Sequence, residues 1–210
     1  ENCQALDPDT GTRRRAVEFF DPKVDDPLLL GDIKRAVSFG TEVVLFNIDS
    51  KADSKEDHAV LRVFVRVFNE LRGFCGDHPH IADMEHYLAS KGALEKFKEA
   101  FRASAGAEWE AERDAYHFKY DEIKQALVES LGITEQNAET WLDRGEDEVS
   151  INIEKFAKRV KEYLDSRGPG HRIVFLADEI GQFIGSNTDL MLNLQTIAED
   201  LGRICGGRAW

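Results

Sequence analysis

Paired cysteines and long apolar runs are missing from this 210-residue chain. No stretch approaches the roughly 18 apolar residues that a membrane-spanning helix needs, so the sequence predicts no membrane contact. The three cysteines, Cys3, Cys75 and Cys205, are widely spaced and form no CxxC pair. This pattern favours free thiols in a reducing cytoplasm over a disulfide framework.

Basic residues are also outnumbered: the chain has 27 of them against 40 acidic ones and a formal net charge of −13. A nucleic-acid duplex would repel such a surface, which argues against direct DNA binding by this segment. A short basic run, Arg13–Arg15, is typical of a solvated patch, and a phosphate site is the alternative.

The most informative stretch is an apolar run, Ile173–Ala177, that ends in two adjacent carboxylates, Asp178 and Glu179. The run predicts a strand buried on both faces of a parallel sheet, and ligands bind at the carboxyl ends of such strands. Four apolar residues followed by Asp-Glu are typical of the Walker B element of P-loop ATPases, in which the Asp holds Mg²⁺ and the Glu activates the attacking water. The alternative is an ordinary strand end that has reached solvent.

A second strand of the buried kind is predicted over Glu42–Ile48. It follows a helix that begins at Asp26-Pro27, with the Asp as N-cap, and that is closed by Gly40. If the two strands are parallel, Asn47 and Asp49 share the functional edge with Asp178. A turn-capping role for Asp49 is the alternative.

The segment between the two strands is predicted to be helical, with apolar stripes that end at glycines, the longest of which runs from Trp109 to Leu131 and ends at Gly132. It is too long for a simple crossover and therefore predicts a helical insertion. The resulting fold class is α/β, a partial P-loop NTPase (ASCE-type) parallel sheet with a large all-helical insertion, predominantly helical by content. Its predicted parts are the first part of the core (1–72), the insertion (73–150), and the second part of the core with the Walker B strand (151–210).

A separate constellation of zinc-type ligands lies in the segment CGDHPHIADMEH. Its spacing fits neither CxxC nor HxxxH, so a His-rich surface loop is favoured over a metal site. The residues concerned are Cys75, His78, His80 and His86. After the Walker B pair, Gly181–Gly185 predicts a flexible turn, and Ser186 or Asn187 is expected to cap the following helix.

The phosphate-binding loop of a P-loop ATPase is absent, since neither GxxxxGKS nor GxxxxGKT occurs in the sequence. Without the backbone cradle and lysine of that loop, nothing holds the β- and γ-phosphates. We therefore expect the isolated chain to neither bind ATP tightly nor hydrolyse it.

Longer segments resemble the BrxC family, the large P-loop ATPases of bacterial BREX phage-exclusion systems. They include TEVVLFNIDSKAD, RVFNELRGFCGDHPHIADMEHYLASKG and KEYLDSRGPGHRIVFLADEIGQFIG, and the similarity runs from about Arg15 to Trp210. One departure is Ala177, where the family more often has Val. The resemblance implies an internal piece of a longer protein, beginning after the Walker A loop and ending before the strand with the sensor residue.

What the resemblance implies about function is ATP hydrolysis in antiviral defence, alongside a methyltransferase that marks self DNA. Asp178 would be the residue that binds ATP-associated Mg²⁺, through water, and Glu179 the catalytic carboxylate, with Gln182 as a second catalytic or water-contacting residue. For Gln182 a solvated turn residue is the alternative. ATP and Mg²⁺ are expected only together with the missing Walker A segment.

Expected partners are other BREX components and further copies of the protein, with DNA contacted indirectly. Arg203 and Arg208 are candidate arginine fingers, but the predicted topology puts Arg203 at the opposite edge of the sheet, which argues against that role. The competing hypothesis is a helical interaction or scaffold module without catalysis.

Overall fold

A computed structural model describes residues 4–48, 58–143 and 152–210 of the protein. The predicted α/β class is confirmed, since the chain is mostly helical and contains a small parallel sheet. None of the helices in these residues combines the length and apolarity that a bilayer span requires.

The chain divides into two compact units, each discontinuous in sequence. The sheet unit comprises the described residues up to Phe46 together with Ala157–Asp178 and Gln195–Trp210. The helical unit comprises the described residues of Asn47–Phe156 together with Glu179–Leu194. The predicted boundaries at residues 72 and 150 stay predictions.

The sheet unit is built from two small sheets and the helices around them. In chain order its elements are the strands β1 (Gln4–Leu6) and β2 (Arg13–Arg15), the 3₁₀ helix η1 (Ala16–Phe19), α1 (Pro27–Ser38), β3 (Thr41–Asn47), α8 (Ile153–Arg167), β4 (Arg172–Asp178) and α10 (Thr188–Ile204). β1 and β2 form an antiparallel hairpin, and β3 pairs with β4. The first residues of α8 and α10 belong to the helical unit.

Two helix starts predicted from sequence are confirmed. The Asp26 carboxylate accepts the N–H groups of Leu28 and Leu29, and Pro27 occupies the first turn of α1. The side chain of Asn187 likewise accepts two N–H groups at the start of α10. Both caps satisfy donors that a helix N-terminus leaves unpaired.

Gly40 has a different role from the predicted helix stop. α1 ends at Ser38, and Gly40 lies directly before β3. A Cβ atom at Gly40 would come within 2.8 Å of the His171 ring. The glycine therefore permits close approach of His171 to the start of β3.

β4 is the central strand of a parallel ladder. On one side the Arg172 N–H donates to the Gly40 carbonyl at 2.9 Å, which starts the pairing with β3. On the other side Ile173 pairs in parallel with Ala209, with Trp210 N donating to the Ile173 carbonyl at 3.0 Å. The residues after Gly206-Gly207 therefore form a third, short neighbour of β4.

The prediction that both faces of these strands are buried is wrong. Val44 and Phe46 are buried, but Val43 and Leu45, on the other face of β3, are 55% and 74% exposed. Along β4, Ile173 is fully buried whereas Leu176 is 48% exposed. One face of the sheet packs into the core of the unit, and the opposite face is open.

The helical unit contains α2 together with the helices of the predicted insertion. Its elements are α2 (Ala59–Leu71), α3 (Pro79–Ser90), α4 (Leu94–Ala105), α5 (Trp109–Glu112), the 3₁₀ helix η2 (Arg113–Lys119), α6 (Tyr120–Leu131), α7 (Glu135–Leu142) and α9 (Ile180–Ile184). Its main apolar cluster includes Trp109, Phe97, Phe101 and Leu127, all fully buried. Trp109 contacts both phenylalanines edge-on, with ring centroids 5.1 Å apart.

Three local expectations are corrected in this unit. The histidine-containing segment is not a surface loop, because Pro79–Ser90 forms α3 and buries Ile81 and Leu88. The stripe predicted to be one long helix from Trp109 to Leu131 is broken into α5, η2 and α6. The glycine-bounded stretch after the carboxylate pair is the short helix α9 rather than a flexible turn.

A buried carboxylate, Glu85 on α3, ties several of these elements together. It is 1% exposed and accepts hydrogen bonds from the Cys75 N–H at 2.5 Å and from the Trp109 indole N–H at 2.7 Å. The Arg113 guanidinium lies 3.1 Å from the same carboxylate and also donates to the Gly73 carbonyl. Burial raises the pKa of Glu85, and the surrounding donors offset part of that rise.

We expect Glu85→Ala to lower the free energy of unfolding by about 3–5 kcal/mol, because the substitution leaves the Arg113 charge and two buried N–H groups without their acceptor. Urea denaturation would measure the loss. The exposed Glu95→Ala serves as the control and should change stability by less than about 0.5 kcal/mol. Equal effects of the two substitutions would contradict the structural role of Glu85.

The raised pKa of Glu85 also fixes the sign of a pH dependence. The folded state holds the Glu85 proton more tightly than the unfolded state, so this group's contribution is most favourable below the ordinary carboxyl pKa. This contribution to the free energy of unfolding is lost as pH rises through the higher pKa that Glu85 has in the folded state. In Glu85→Gln this component should vanish from the stability profile.

Candidate functional site

The predicted carboxylate pair lies at the carboxyl end of the central strand. Asp178 is the last residue of β4, and both Asp178 and Glu179 are exposed. β4 is held on both edges by main-chain hydrogen bonds near its start, which fixes the direction in which the strand delivers these residues. A carboxylate at this end of a parallel strand occupies the usual position of ligand-binding groups in α/β proteins.

The backbone of Glu179 adopts a conformation that is unusual for its residue type. Its φ and ψ angles are 59° and 15°, in the left-handed region. Apart from glycines, the described residues with a positive φ are Glu179 and His58. For an L-amino acid this conformation costs about 1–2 kcal/mol relative to the right-handed one, so neighbouring structure must maintain it.

The Glu179 side chain is engaged by Asn47, the last residue of β3. The Asn47 amide Nδ2 donates a short hydrogen bond to Glu179 Oε2. The two residues are 132 positions apart in sequence, and both belong to the helical unit. A carboxylate that is oriented by an amide donor while staying exposed is suited to accept a proton from, or to orient, a small polar molecule such as water.

Other predicted site residues differ in what surrounds them. Gln182 is exposed on α9, and its backbone N–H donates to the Glu179 carbonyl at 3.0 Å. Asp49 lies outside the described residues. The sequence predicts that Asn47 shares the functional edge with Asp178. It contains no signal for the hydrogen bond from Asn47 to Glu179, because the two positions are so distant in the chain.

In the described part of the chain, the predicted metal-ligating residues do not gather into a cluster of protein ligands. No group of three or more His, Cys, Asp or Glu in residues 4–48, 58–143 and 152–210 could hold a metal ion. A Mg²⁺ ion bound mainly by water and phosphate oxygens needs only one or two carboxylates, so Asp178 alone is compatible with it. A structural zinc ion differs from Mg²⁺ in this respect, because it needs four protein ligands.

The four residues of the zinc-type alternative are engaged with other groups of the helical unit. His86 Nε2 lies 2.9 Å from Asn69 Oδ1, and His78 and His80 both pack edge-on against Tyr116. The Cys75 thiol is fully buried, and its burial raises the pKa to about 11. Cys205 is similarly buried, with its pKa also raised to about 11. Both thiols are therefore protonated and poorly nucleophilic at neutral pH.

The arginines considered for anion contacts are engaged in ion pairs. Arg203 pairs with Asp200 at 2.6 Å, and Arg208 pairs with Asp165. The Arg208 carbonyl accepts the N–H of Ile173, so Arg208 lies beside the start of β4, away from Asp178. In the basic run, Arg14 pairs with Asp7 at 2.9 Å and with Glu18 at 3.4 Å, an arrangement typical of a structural hairpin contact.

The strained backbone at Glu179 leads to a stability prediction. Glu179→Gly should be more stable than Glu179→Ala by about 1–2 kcal/mol, since both lose the Asn47 hydrogen bond but only glycine accepts the left-handed conformation without strain. Paired urea denaturation curves would measure the difference. At Glu199, exposed within α10, the same two substitutions serve as control and should rank in the opposite order, with Gly less stable by about 1 kcal/mol. Equal stability of the two Glu179 variants would contradict the strain.

No protein-family model matches this chain, and no solved structure matches it. The resemblance to the BrxC family therefore stays a prediction based on the sequence segments quoted above.

Proposed function

We propose that this chain contributes the Walker B element of an ATP-hydrolysing P-loop protein of the BrxC type, which acts in bacterial defence against phage. The observation that carries the proposal is the placement of Asp178 and Glu179 at the carboxyl end of a central parallel strand, with Glu179 hydrogen-bonded by Asn47. An ordinary strand end requires neither a left-handed glutamate nor a distant amide that engages its carboxylate.

The proposed roles follow from the surroundings of each group. Asp178, exposed and in regular strand geometry, would associate with Mg²⁺ through water, and the ion would neutralise phosphate charge. Glu179 would orient or deprotonate the attacking water, which requires an exposed carboxylate with a fixed direction. Asn47 would act as a positioning residue through its hydrogen bond to Glu179. Gln182 remains a candidate for a water contact.

The central test is Glu179→Gln in a longer protein that contains this chain and supplies a phosphate-binding loop. We expect ATP hydrolysis to fall by at least about 10²-fold while ATP binding persists, because the amide cannot accept the water's proton. Steady-state turnover and equilibrium nucleotide binding would be measured on the same preparations. Glu129→Gln, the same charge change at an exposed position of α6, should leave both quantities unchanged. Unaltered hydrolysis in Glu179→Gln would refute the assignment.

Asn47 offers a second test of the same site. Asn47→Ala should lower kcat about 10–100-fold with KM for ATP nearly unchanged, the effect typical of a lost partner that orients a functional group. Asn47→Gln keeps an amide donor and should recover part of kcat, which a purely structural defect would not predict. A rise in KM without a loss in kcat would argue against positioning of Glu179.

The competing proposal is an interaction module, and one observation favours it. The helical unit has its own extensive apolar cluster and its own buried ionic centre at Glu85, independent of the carboxylate pair. A unit with this degree of internal order is suited to present surfaces to a partner. If Glu179→Gln leaves hydrolysis intact, the interaction function becomes the preferred account.

A further inference from the structure

A cavity of about 260 Å³ opens in the helical unit. The described residues around it come from α3, η2, α6 and the end of α7: His80, Ile81, Tyr116, His117, Tyr120, Ile123, Leu142 and Asp143. Ile81 and Ile123 are each 1% exposed, whereas His117 and Asp143 are exposed. The cavity thus has a buried apolar floor and a polar mouth. Since liquid water occupies roughly 30 Å³ per molecule, the space is large enough for a small organic group.

Aromatic rings make up much of the wall. The His80 and Tyr116 ring centroids are 4.7 Å apart, and the Tyr116 and His117 centroids are 3.7 Å apart. Tyr120 contributes a second phenol. The faces of tyrosine rings carry partial negative charge and attract cations, most strongly where water is displaced.

A carboxylate completes the same wall. Tyr120 donates its hydroxyl to Asp143 Oδ1 at 2.8 Å, which fixes the relative position of the phenol and the carboxylate. Among the described lining residues there is no Lys or Arg. Lys124, which is not a lining residue, lies 5.9 Å from the Tyr120 ring centroid and pairs with Glu139. Electrostatically, the cavity favours a positively charged occupant.

The type of cation follows from the available partners. A bare metal ion is disfavoured, since the described residues include no group of three metal-ligating side chains. A guanidinium group would need several in-plane acceptors, whereas the wall supplies one carboxylate that already accepts from Tyr120. An alkylated ammonium needs no hydrogen bonds and gains from apolar and ring contacts.

We propose that this cavity binds an alkylated ammonium group, held between the rings of Tyr116, Tyr120 and His80 and drawn by the charge of Asp143. The group could belong to a free small molecule or to a methylated lysine side chain of a partner protein. Both sources present the same chemistry to the site. The proposal stands independently of ATP hydrolysis, because its residues are distinct from Asp178, Glu179, Asn47 and Gln182.

The test is a titration of the 210-residue chain, followed by NMR of the Ile81 and Ile123 methyl groups, with choline and with its neutral isostere 3,3-dimethylbutan-1-ol. Choline should shift both methyl signals and bind about three- to thirty-fold more tightly than the isostere, the range expected for a cation–π contribution. Equal affinity of the two ligands, or no shift at either isoleucine with choline, would overturn the proposal.

Matched variants distinguish the contributions of the Tyr120 ring, the Tyr120 hydroxyl and the Asp143 charge to choline binding, and a control tests whether each variant folds. Tyr120→Phe retains the ring and should bind choline within about twofold of the native chain, whereas Tyr120→Leu should lose the cation–π preference. Asp143→Asn should weaken choline binding and leave the isostere unaffected. Glu135→Gln, the same charge change on α7 outside the cavity, should change neither. Native-like thermal unfolding of each variant would exclude misfolding as the cause.

A peptide containing trimethyllysine distinguishes the two sources. Tighter binding of the peptide than of choline, with shifts at the same methyl groups, would indicate a protein partner. Binding no tighter than that of choline would indicate a free small molecule. Failure of all cations to bind would remove this site while leaving the proposed ATPase role of Glu179 untouched.

Discussion

The two-sided main-chain pairing of β4 is the constraint on which the candidate site depends. Ile173 is fully buried and bonded to the terminal segment, while Arg172 is bonded to the start of β3. A parallel strand paired on both edges has little freedom to shift register, because each shift of one residue would exchange its buried and exposed faces. The backbone hydrogen bonds of β4 therefore set the direction in which the strand ends at Asp178, and the side-chain bond from Asn47 then orients the Glu179 carboxylate.

The helical unit depends on a different kind of interaction, a buried carboxylate whose donors come from separate elements. Apolar packing around Trp109 supplies most of the favourable burial, but such packing is non-directional and tolerates sliding between helices. Glu85 adds direction, because its oxygens must meet the Trp109 indole, the Cys75 amide and the Arg113 guanidinium together. Moving any one of these elements would leave a buried polar group unpaired, which is why the ionic centre helps to select one arrangement of the helices.

Features encoded locally in the sequence were the ones that could be predicted. The N-cap residues Asp26 and Asn187 act within three residues of themselves, and the β4 strand is a single uninterrupted run. α3 also has a local signal, since Pro79 lies in its first turn and Ile81 and Leu88 recur at helical spacing, so the prediction of a surface loop there was wrong for a segment that the sequence does encode as a helix. The open face of β3 had no such signal, since the run around Val43 and Leu45 reads the same whether one face is covered or two. The contact between Asn47 and Glu179 is a product of folding and has no counterpart in any short motif.

Glu179 combines two features that favour a functional account over that of an ordinary strand end. Its backbone is left-handed, and a glycine at this position would be less strained. Its carboxylate is exposed, so burial of the side chain does not explain why a glutamate stands there. A hydrogen bond to a charged acceptor contributes about 1.5–3 kcal/mol, and less where water reaches both groups, as it does at Glu179, so the bond from Asn47 is comparable to the strain of about 1–2 kcal/mol. The bond and the strained turn can therefore nearly balance, leaving an oriented carboxylate with little net gain in stability. An arrangement whose energetic terms cancel while it fixes the direction of an exposed acceptor is expected where proton transfer or water orientation takes place.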